Sequence, residues 1–404
     1  MANFSRRHFL QAAGAALTTA GISQWQAADR YGKVLAQSTP RKLALLVGIN
    51  DYADSPLFGC VNDVILQRQL LIHRFGFNPK DIVMLTDEAA SRQGMLDAFE
   101  EHLIKQAKPG DVVVYHFSGH GSQVLDPDPI YVDEWGAGLN GTFVPQDATL
   151  PENYWDFGLS GEAPQTAGEV KDIMGHTLFL LMSAIQTENF TAVLDSCFSG
   201  SATRSHELRT RARAGGDTVE IAQIEKDYQQ QWLSRFGWSQ QAFVDRYTEG
   251  IANGVVLAST QRHQYAMDEG LDGFTAGAFT FRLTQHLWQT DSTTPAAAID
   301  FVNRMIPEAY EQNPLVEAES DYAQQPMFFV GEPQAAADAV VVEMKEGNAI
   351  VLLVGIEPGQ VRRGQTFGGR DRRSSVSILH RDGLVAIGPA TGTMRVGDRL
   401  RVQK

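Results

Sequence analysis

The sequence predicts an α/β fold, a mainly parallel sheet with helices on both faces, followed by a small C-terminal all-β domain. Two observations support this prediction. Short apolar runs alternate with amphipathic stretches over residues 41–200, a rhythm typical of a parallel sheet covered by helices. From residue 336 onward, five or six short apolar runs alternate with glycine-rich turns, which indicates a small barrel or sandwich. The 404 residues are enough for both parts.

In the first half of the chain, β-prone apolar runs predict strands, and amphipathic spacing predicts the helices between them. The strands are expected at 42–49, 82–85, 111–117 and 191–194, and the helices at 62–75, 92–106 and 168–185. The span 122–168 is rich in Asp, Pro, Gly and aromatic residues and is expected to form a long loop beside the site. After a polar helical stretch to about residue 250, a strand at 254–259 and a helix at 279–289 resume the pattern.

Two apolar runs break abruptly into small residues at a reactive side chain. Val-Leu-Asp-Ser-Cys-Phe-Ser-Gly carries Cys197, and Val-Val-Tyr-His-Phe-Ser-Gly-His-Gly carries His120. Parallel strands deliver such groups to the carboxyl edge of a sheet. Either residue alone would suit a buried thiol or a loop histidine without a catalytic role. Together they predict a dyad in which His120 removes the proton of Cys197 and the thiolate attacks.

His-Phe-Ser-Gly-His-Gly and Asp-Ser-Cys-Phe-Ser-Gly resemble the histidine and cysteine motifs of metacaspases, and of the bacterial orthocaspases in particular. Residues 43–64 resemble the first strand and helix of that family, and residues 255–281 resemble its small-subunit segment. The likeness covers roughly residues 41–332 and implies a caspase-like fold and cysteine peptidase activity. The implied divisions are a large-subunit segment at 40–203, a linker or processing segment at 204–250, a small-subunit segment at 251–332 and a separate β domain at 336–404.

The resemblance also implies roles for further residues. The backbone N–H groups of Gly121 and Cys197 would form the oxyanion hole, and Asp63, Cys60 and Ser118 would line the pocket for the residue before the scissile bond. An ordinary structural role for Asp63 would be that of an acid at a helix N-terminus.

Asp195 stands two residues before the nucleophile, where caspases carry the glutamine that helps to bind a substrate aspartate. An anion at this position would attract Arg or Lys and repel Asp, so we expect cleavage after basic residues. The alternative is a carboxylate that only orients a backbone turn.

A cluster of arginines follows the nucleophile: Arg204, Arg209, Arg211 and Arg213. Small and polar residues surround them, so the segment is expected to be exposed and mobile. An enzyme that cuts after arginine would meet such a tether at high effective concentration, which predicts self-processing here. Before the cut, the tether would occupy the acidic pocket. The alternative is a solvated basic loop that the site never touches.

Calcium-dependent metacaspases use several aspartates, one of them seven residues after the cysteine. This chain has Arg204 at that position, and Lys171-Asp172 replaces an acidic pair. Oxygen ligands would still be available from acidic residues of the predicted loop, namely Asp126, Asp128, Asp133 and Glu134. We therefore expect no cofactor, do not favour calcium, and assign no metal ligand.

The N-terminus carries Ser-Arg-Arg-His-Phe-Leu before an Ala-rich run, which predicts a twin-arginine signal peptide over residues 1–36 and a periplasmic or other extracytoplasmic location. The alternative is a flexible basic tail. The net charge of −14 disfavours nucleic acid as a partner and suits cationic peptides. No apolar stretch reaches about 18 residues, so no membrane span is expected after removal of the leader.

The predicted partners are therefore peptides or proteins with Arg or Lys before the scissile bond, bound by a monomer. The alternative function is that of a caspase-fold regulatory or binding protein whose C-terminal β domain carries the main function.

Overall fold

The computed structural model describes residues 40–132, 138–152, 154–156, 166–197, 209–319, 321–370 and 373–403. The predicted signal peptide, Asp133, Glu134 and Arg204 lie outside this range. Among the described helices, none has the length and apolar character needed to cross a membrane.

The strands and helices are numbered separately, each in chain order. The strands are β1 (Lys42–Gly48), β2 (Ile82–Thr86), β3 (Val112–Ser118), β4 (Gly121–Leu125), β5 (Leu139–Phe143), β6 (Glu169–Val170), β7 (Ile173–Met174), β8 (Phe190–Asp195), β9 (Glu220–Ile221), β10 (Val255–Ala258), β11 (Asp268–Leu271), β12 (Phe274–Gly277), β13 (Leu315–Ala318), β14 (Ala339–Lys345), β15 (Asn348–Leu353), β16 (Thr366–Gly369), β17 (Ser375–Ser377), β18 (His380–Asp382), β19 (Val385–Thr391) and β20 (Arg399–Val402). The helices are α1 (Cys60–His73), α2 (Arg92–Ala98, continued as a π-helical turn over Phe99–Ile104), α3 (Gly175–Ser183), α4 (Gln223–Phe236), α5 (Gln240–Glu249), α6 (Ala278–Gln289) and α7 (Pro295–Met305).

The central sheet has the strand order β13-β10-β8-β3-β1-β2. Its strands run parallel except for β13, which pairs antiparallel with β10 at one edge. Every residue of β3 and β8 is buried, as expected for strands covered on both faces. The predicted mainly parallel sheet is confirmed, with one antiparallel edge strand.

Alternate residues of β1 contribute to two separate apolar clusters, because successive side chains of a strand point to opposite faces. Leu43 and Leu45 join the cluster that α2, α3, α4 and α5 cover. Ala44 and Leu46 join the cluster that α1, α6 and α7 cover. The helices therefore lie on both faces, as predicted.

The C-terminal strands close into a barrel. Six of them follow the order β15-β14-β20-β16-β17-β19, and β19 pairs back onto β15, while β18 extends β19. The barrel interior holds Val341, Val351, Phe367 and Leu400, none of them more than 1 % exposed. The predicted small all-β domain is confirmed as a closed barrel.

Two local predictions are wrong. In the span expected to be a loop, β4 and β5 pair as an antiparallel hairpin within a sheet ordered β6-β9-β4-β5-β7. The helix expected at 168–185 begins only at Gly175, because residues 169–174 contain β6 and β7. These strands pair with partners distant in the chain, such as β4 with β9, and two-residue strands carry no periodic pattern by which a sequence could reveal them.

Candidate active site

The candidate site lies at the carboxyl edge of the central sheet. Ser118 ends β3 directly opposite Asp195, which ends β8, and His120 and Cys197 each follow two residues later. The two chain segments then approach so closely that a Cβ atom on Gly121 would lie 1.6 Å from the carbonyl oxygen of Cys197. Only glycine allows this approach. The sheet therefore brings both predicted catalytic residues to one edge.

The His120 ring is held by the loop that follows β1. Its Nε2 lies 2.6 Å from the Ser55 carbonyl oxygen, so Nε2 carries the proton and Nδ1 is the basic atom. The backbone N–H of His120 donates to the Tyr52 hydroxyl, which in turn donates to the Val144 carbonyl. Burial lowers the pKa of His120 to about 4, opposed by the backbone of Ser55. The imidazole is therefore neutral at pH 7.

Cys197 is completely buried. Its Sγ accepts a hydrogen bond from the Ala266 N–H at 2.9 Å, and within the described part of the chain no hydrogen bond joins Sγ to the His120 ring. Burial raises the pKa of the thiol to about 12. In this state the predicted dyad is a thiol and a neutral imidazole, close in the fold but not hydrogen-bonded to each other.

A pocket beside Cys197 holds the side chain of Arg211. We call it the acidic pocket, and its polar side chains are Asp63, Asp195, Asp268 and Ser118, none of them more than 5 % exposed. Arg211 Nη2 lies 2.7 Å from Asp63 Oδ2 and 3.0 Å from Asp268 Oδ1. Arg211 Nη1 lies 3.1 Å from Asp195 Oδ2 and donates to Ser118 Oγ at 2.7 Å. The pocket thus surrounds one guanidinium with three carboxylates.

Backbone N–H groups and hydroxyls orient these carboxylates. Asp63 accepts from the Gly277 N–H and from Ser118, Asp195 from the N–H and hydroxyl of Thr280, and Asp268 from the N–H groups of Phe58 and Gly59. Burial raises the pKa of Asp63 to about 7, an effect that Arg211 opposes. Burial acts to lower the pKa of Arg211, but the surrounding acids, Asp195 first among them, hold it well above its usual value.

The main chain of Arg211 passes beside Cys197. Its carbonyl oxygen accepts from Gly121 N–H at 2.9 Å and Cys197 N–H at 3.2 Å, the two donors predicted for the oxyanion hole. On the preceding side, the Arg211 N–H donates to Ala266 and the Asp268 N–H donates to Arg209, so the segment runs antiparallel to residues 266–268. The carbonyl of Arg211 is therefore held by two backbone donors beside a cysteine.

The other predicted pocket and processing residues lie as follows. Cys60 is a buried free thiol at the start of α1, and its pKa is raised well above its ordinary value by burial. Arg209 is exposed and stacks on Phe58, whereas Arg213 is buried against Asp172 at 2.7 Å. The expectation of an exposed, mobile arginine segment is wrong for residues 211–214, because two buried acidic sites and the backbone of Gly121 hold them.

Sequence reasoning missed Asp268, Ser55, Tyr52 and Asp172 as parts of the site. Asp268 comes after β10, and no local sequence pattern identifies it as a pocket residue. Ser55 acts through its backbone carbonyl group, which any residue would supply. Asp126, one of the acidic residues considered as a calcium ligand, has its Oδ2 atom 3.6 Å from His176 Nε2. Among the described residues, no group of three or more His, Cys, Asp or Glu side chains is arranged to hold a metal ion.

The family model described as "Caspase domain" matches residues 41–329. Among curated proteins, Metacaspase-1 of Schizosaccharomyces pombe is 26 % identical over 303 residues, covering 68 % of this chain and 66 % of that protein. Metacaspase-1 of Kluyveromyces lactis is 33 % identical over 174 residues, covering 41 % and 35 %. The chain thus spans about two thirds of the first relative and about one third of the second.

Two solved structures are similar at low identity. A protein from Geobacter sulfurreducens has a TM-score of 0.45 at 19 % identity, covering 72 % of this chain and 99 % of that one. Caspase-1 from Spodoptera frugiperda has a TM-score of 0.35 at 8 % identity, covering 73 % and 89 %. Because the family model matches the greater part of the sequence, the chain belongs to the caspase domain family of peptidases.

Proposed function

We propose that this protein is a cysteine endopeptidase that cleaves after Arg or Lys, with Cys197 as nucleophile and His120 as proton carrier. We further propose that its first substrate is its own Arg211–Ala212 bond. The observation that carries this proposal is the position of Arg211, with its guanidinium in the acidic pocket and its carbonyl oxygen on the N–H groups of Gly121 and Cys197.

The chemistry follows from the hydrogen bonds around the site. Nδ1 of His120 takes the thiol proton, and the Cys197 thiolate attacks the carbonyl carbon. Negative charge on the oxygen is stabilised by the two backbone donors that already contact it. The imidazolium gives its proton to the leaving amine and, once neutral, activates the water that hydrolyses the acyl-enzyme. The Ser55 carbonyl keeps the ring in the tautomer that this sequence needs.

The buried state accounts for a resting enzyme. With the segment in the cleft, Arg211 fills the acidic pocket and its carbonyl oxygen occupies the N–H groups of Gly121 and Cys197, so an added peptide cannot bind there. Departure of the segment after its own cleavage would free both positions. We therefore expect the uncut chain to act poorly on added peptides and the cut chain to act better.

The specificity rests on charge. A substrate aspartate would bring a fourth carboxylate into a buried site, whereas a guanidinium donates to several carboxylates at once. Lysine offers a single ammonium, so we expect it to be accepted more weakly than arginine.

The experiment combines self-cleavage with peptide cleavage. Purified chain should yield two fragments, the C-terminal one beginning at Ala212, and cleavage should be slower in Arg211→Lys and absent in Arg211→Ala. Arg209→Ala, which removes an exposed arginine two residues earlier, is the matched control and should be cut normally. Peptides that differ only before the scissile bond should be cut after Arg and Lys. A preference for Asp would overturn the proposal.

Export through the twin-arginine pathway, action as a monomer and independence from calcium complete the proposal. The first rests on Ser-Arg-Arg-His-Phe-Leu near the N-terminus. The last rests on Arg213, whose guanidinium already compensates Asp172. Cell fractionation, light scattering and peptide cleavage in the presence of a calcium chelator test the three in turn.

A further inference from the structure

Arg213 lies two residues beyond the proposed scissile bond, in a second buried acidic site. Its Nη2 is 2.7 Å from Asp172 Oδ2, and its Nη1 donates to the Ala148 carbonyl at 3.4 Å. Asp172 is fully buried, and Thr142 donates to the same Oδ2 at 2.6 Å. The Asp172 Oδ1 atom is buried, and among the residues that the structure describes none donates a hydrogen bond to it. This site is built for a cation, and it has unused capacity to accept a hydrogen bond.

The main chain couples this second site to the oxyanion hole. Gly121 donates its N–H to the Arg211 carbonyl and accepts from the Arg213 N–H, both at 2.9 Å. One residue of β4 therefore holds the chain on both sides of the Arg211–Ala212 bond. Any peptide with its scissile carbonyl on the Gly121 N–H, continuing along β4 in the same register, would bring its second residue after the bond to Asp172.

We infer that Asp172 forms a substrate subsite selective for arginine two residues after the scissile bond. This inference rests on the proposed function, since it presumes cleavage after Arg211 and after arginine in other peptides. The physical reason for selectivity is that a neutral side chain would leave the buried Asp172 carboxylate unpaired, and a substrate carboxylate would add repulsion. The enzyme would then read a basic residue on each side of the bond that it cuts.

The test uses the full chain with Arg211→Ala and Arg213→Ala, which removes the chain's own side chains from both acidic sites. Three substrates with the same Arg before the scissile bond are compared. Two are internally quenched peptides that carry Arg or Ala two residues after the bond, and the third is a coumarin amide with no peptide beyond it. We expect kcat/KM for the Arg peptide to exceed that of the Ala peptide about tenfold or more.

Adding Asp172→Asn should reduce the ratio between the two peptides to within about twofold. Asp217→Asn makes the same charge change at an exposed position four residues after Arg213 and should leave the ratio intact. If the coumarin amide is cut but the two peptides are cut equally, the subsite inference is overturned and the proposed function stands. If no substrate is cut, the proposed function fails. The subsite is then tested by fluorescence anisotropy, in which the Arg peptide should still bind more tightly than the Ala peptide.

If the chain does not fold without Arg211 and Arg213, self-cleavage provides the test instead. With Arg211 retained, Arg213→Lys should release the fragment beginning at Ala212 faster than Arg213→Ala, and Arg213→Glu should be slowest. Equal rates for the three variants would overturn the inference.

Discussion

Two arginines on one short segment lie in different electrostatic surroundings. Within the described ranges, Arg211 contacts the three carboxylates of the acidic pocket, whereas Arg213 contacts one carboxylate, that of Asp172. The Arg213 pair is therefore neutral, but the acidic pocket keeps excess negative charge even when filled. A buried anionic excess attracts any incoming cation and is costly to leave empty. The acidic pocket is therefore suited to binding a succession of basic side chains. The Asp172 site is matched in charge to one basic side chain.

The largest effect is expected from variants that leave both arginine sites unaltered and remove the proposed nucleophile or the proposed proton carrier. Cys197→Ala and His120→Ala should each reduce self-cleavage and peptide cleavage on the order of 10³-fold or more, because a nucleophile and its proton carrier, the roles proposed for these residues, act as a unit. Fragment appearance on gels and peptide turnover measure the effect. His263→Asn replaces an exposed histidine and should leave turnover unchanged. Substantial turnover by Cys197→Ala would contradict the dyad.

Removing one arginine at a time sharpens the comparison. Arg211→Ala leaves three carboxylates in the acidic pocket, and we expect a free energy of unfolding about 4 kcal/mol lower at pH 7. Arg213→Ala leaves the Asp172 carboxylate unpaired, but this carboxylate still accepts a hydrogen bond from Thr142. The free energy of unfolding should therefore fall by less than in Arg211→Ala. Urea unfolding at pH 7 measures both. An equal or larger loss for Arg213→Ala would contradict the charge argument.

Lowering the pH affects the stability of this region in two opposite ways, through buried histidines and through a buried carboxyl group. Burial lowers the pKa of His116 to about 3 and of His120 to about 4, so the unfolded chain binds more protons than the folded one between about pH 4 and 6.5. Their contribution to stability is present at neutral pH and is lost as the pH falls through that window, at roughly 2 kcal/mol for each at pH 5. Asp63, with its pKa raised to about 7, contributes stability at low pH that is lost as the pH rises toward 7.

Because His116 and His120 together outweigh Asp63 between these pH values, and burial also lowers the pKa of His176 to about 4, we expect lower stability at pH 5 than at pH 7. His116→Gln should reduce this difference, whereas His380→Gln, at an exposed position, should not. Urea unfolding at both pH values measures the effect, and a chain that is more stable at pH 5 would contradict the assignment.

The smallest expected effect connects the barrel with the acidic pocket. Arg381 of β18 pairs with Asp272 in the turn between β11 and β12, and β11 carries Asp268. Because Asp272 is largely exposed, Arg381→Ala should lower the free energy of unfolding by at most about 1 kcal/mol. Peptide cleavage should fall a few-fold. Arg395→Ala, at an exposed position elsewhere on the barrel, is the control. A loss as large as that of Arg211→Ala would instead give the barrel a direct part in the site.

Much of the fold could be predicted because its signals are local. The strands β1, β3 and β8 are continuous apolar runs, and the motifs around His120 and Cys197 mark where two of them end. The barrel strands alternate with turns at short intervals. Two-residue strands such as β6 and β9 carry no such pattern, since they exist only through pairing with each other and with β4.

The sequence by itself was enough to predict a cysteine and a histidine as the reactive pair and an acidic pocket beside them, because reactive side chains and charges are properties of residue types. Only the tertiary structure decided that Arg211 rather than Arg209 enters the acidic pocket, that Asp268 completes it, and that Asp172 receives Arg213. Those choices depend on backbone hydrogen bonds to Gly121 and Ala266, which fix the register of the segment across the sheet edge. A one-residue shift would turn the arginine side chains away from both sites, and no local pattern records that register.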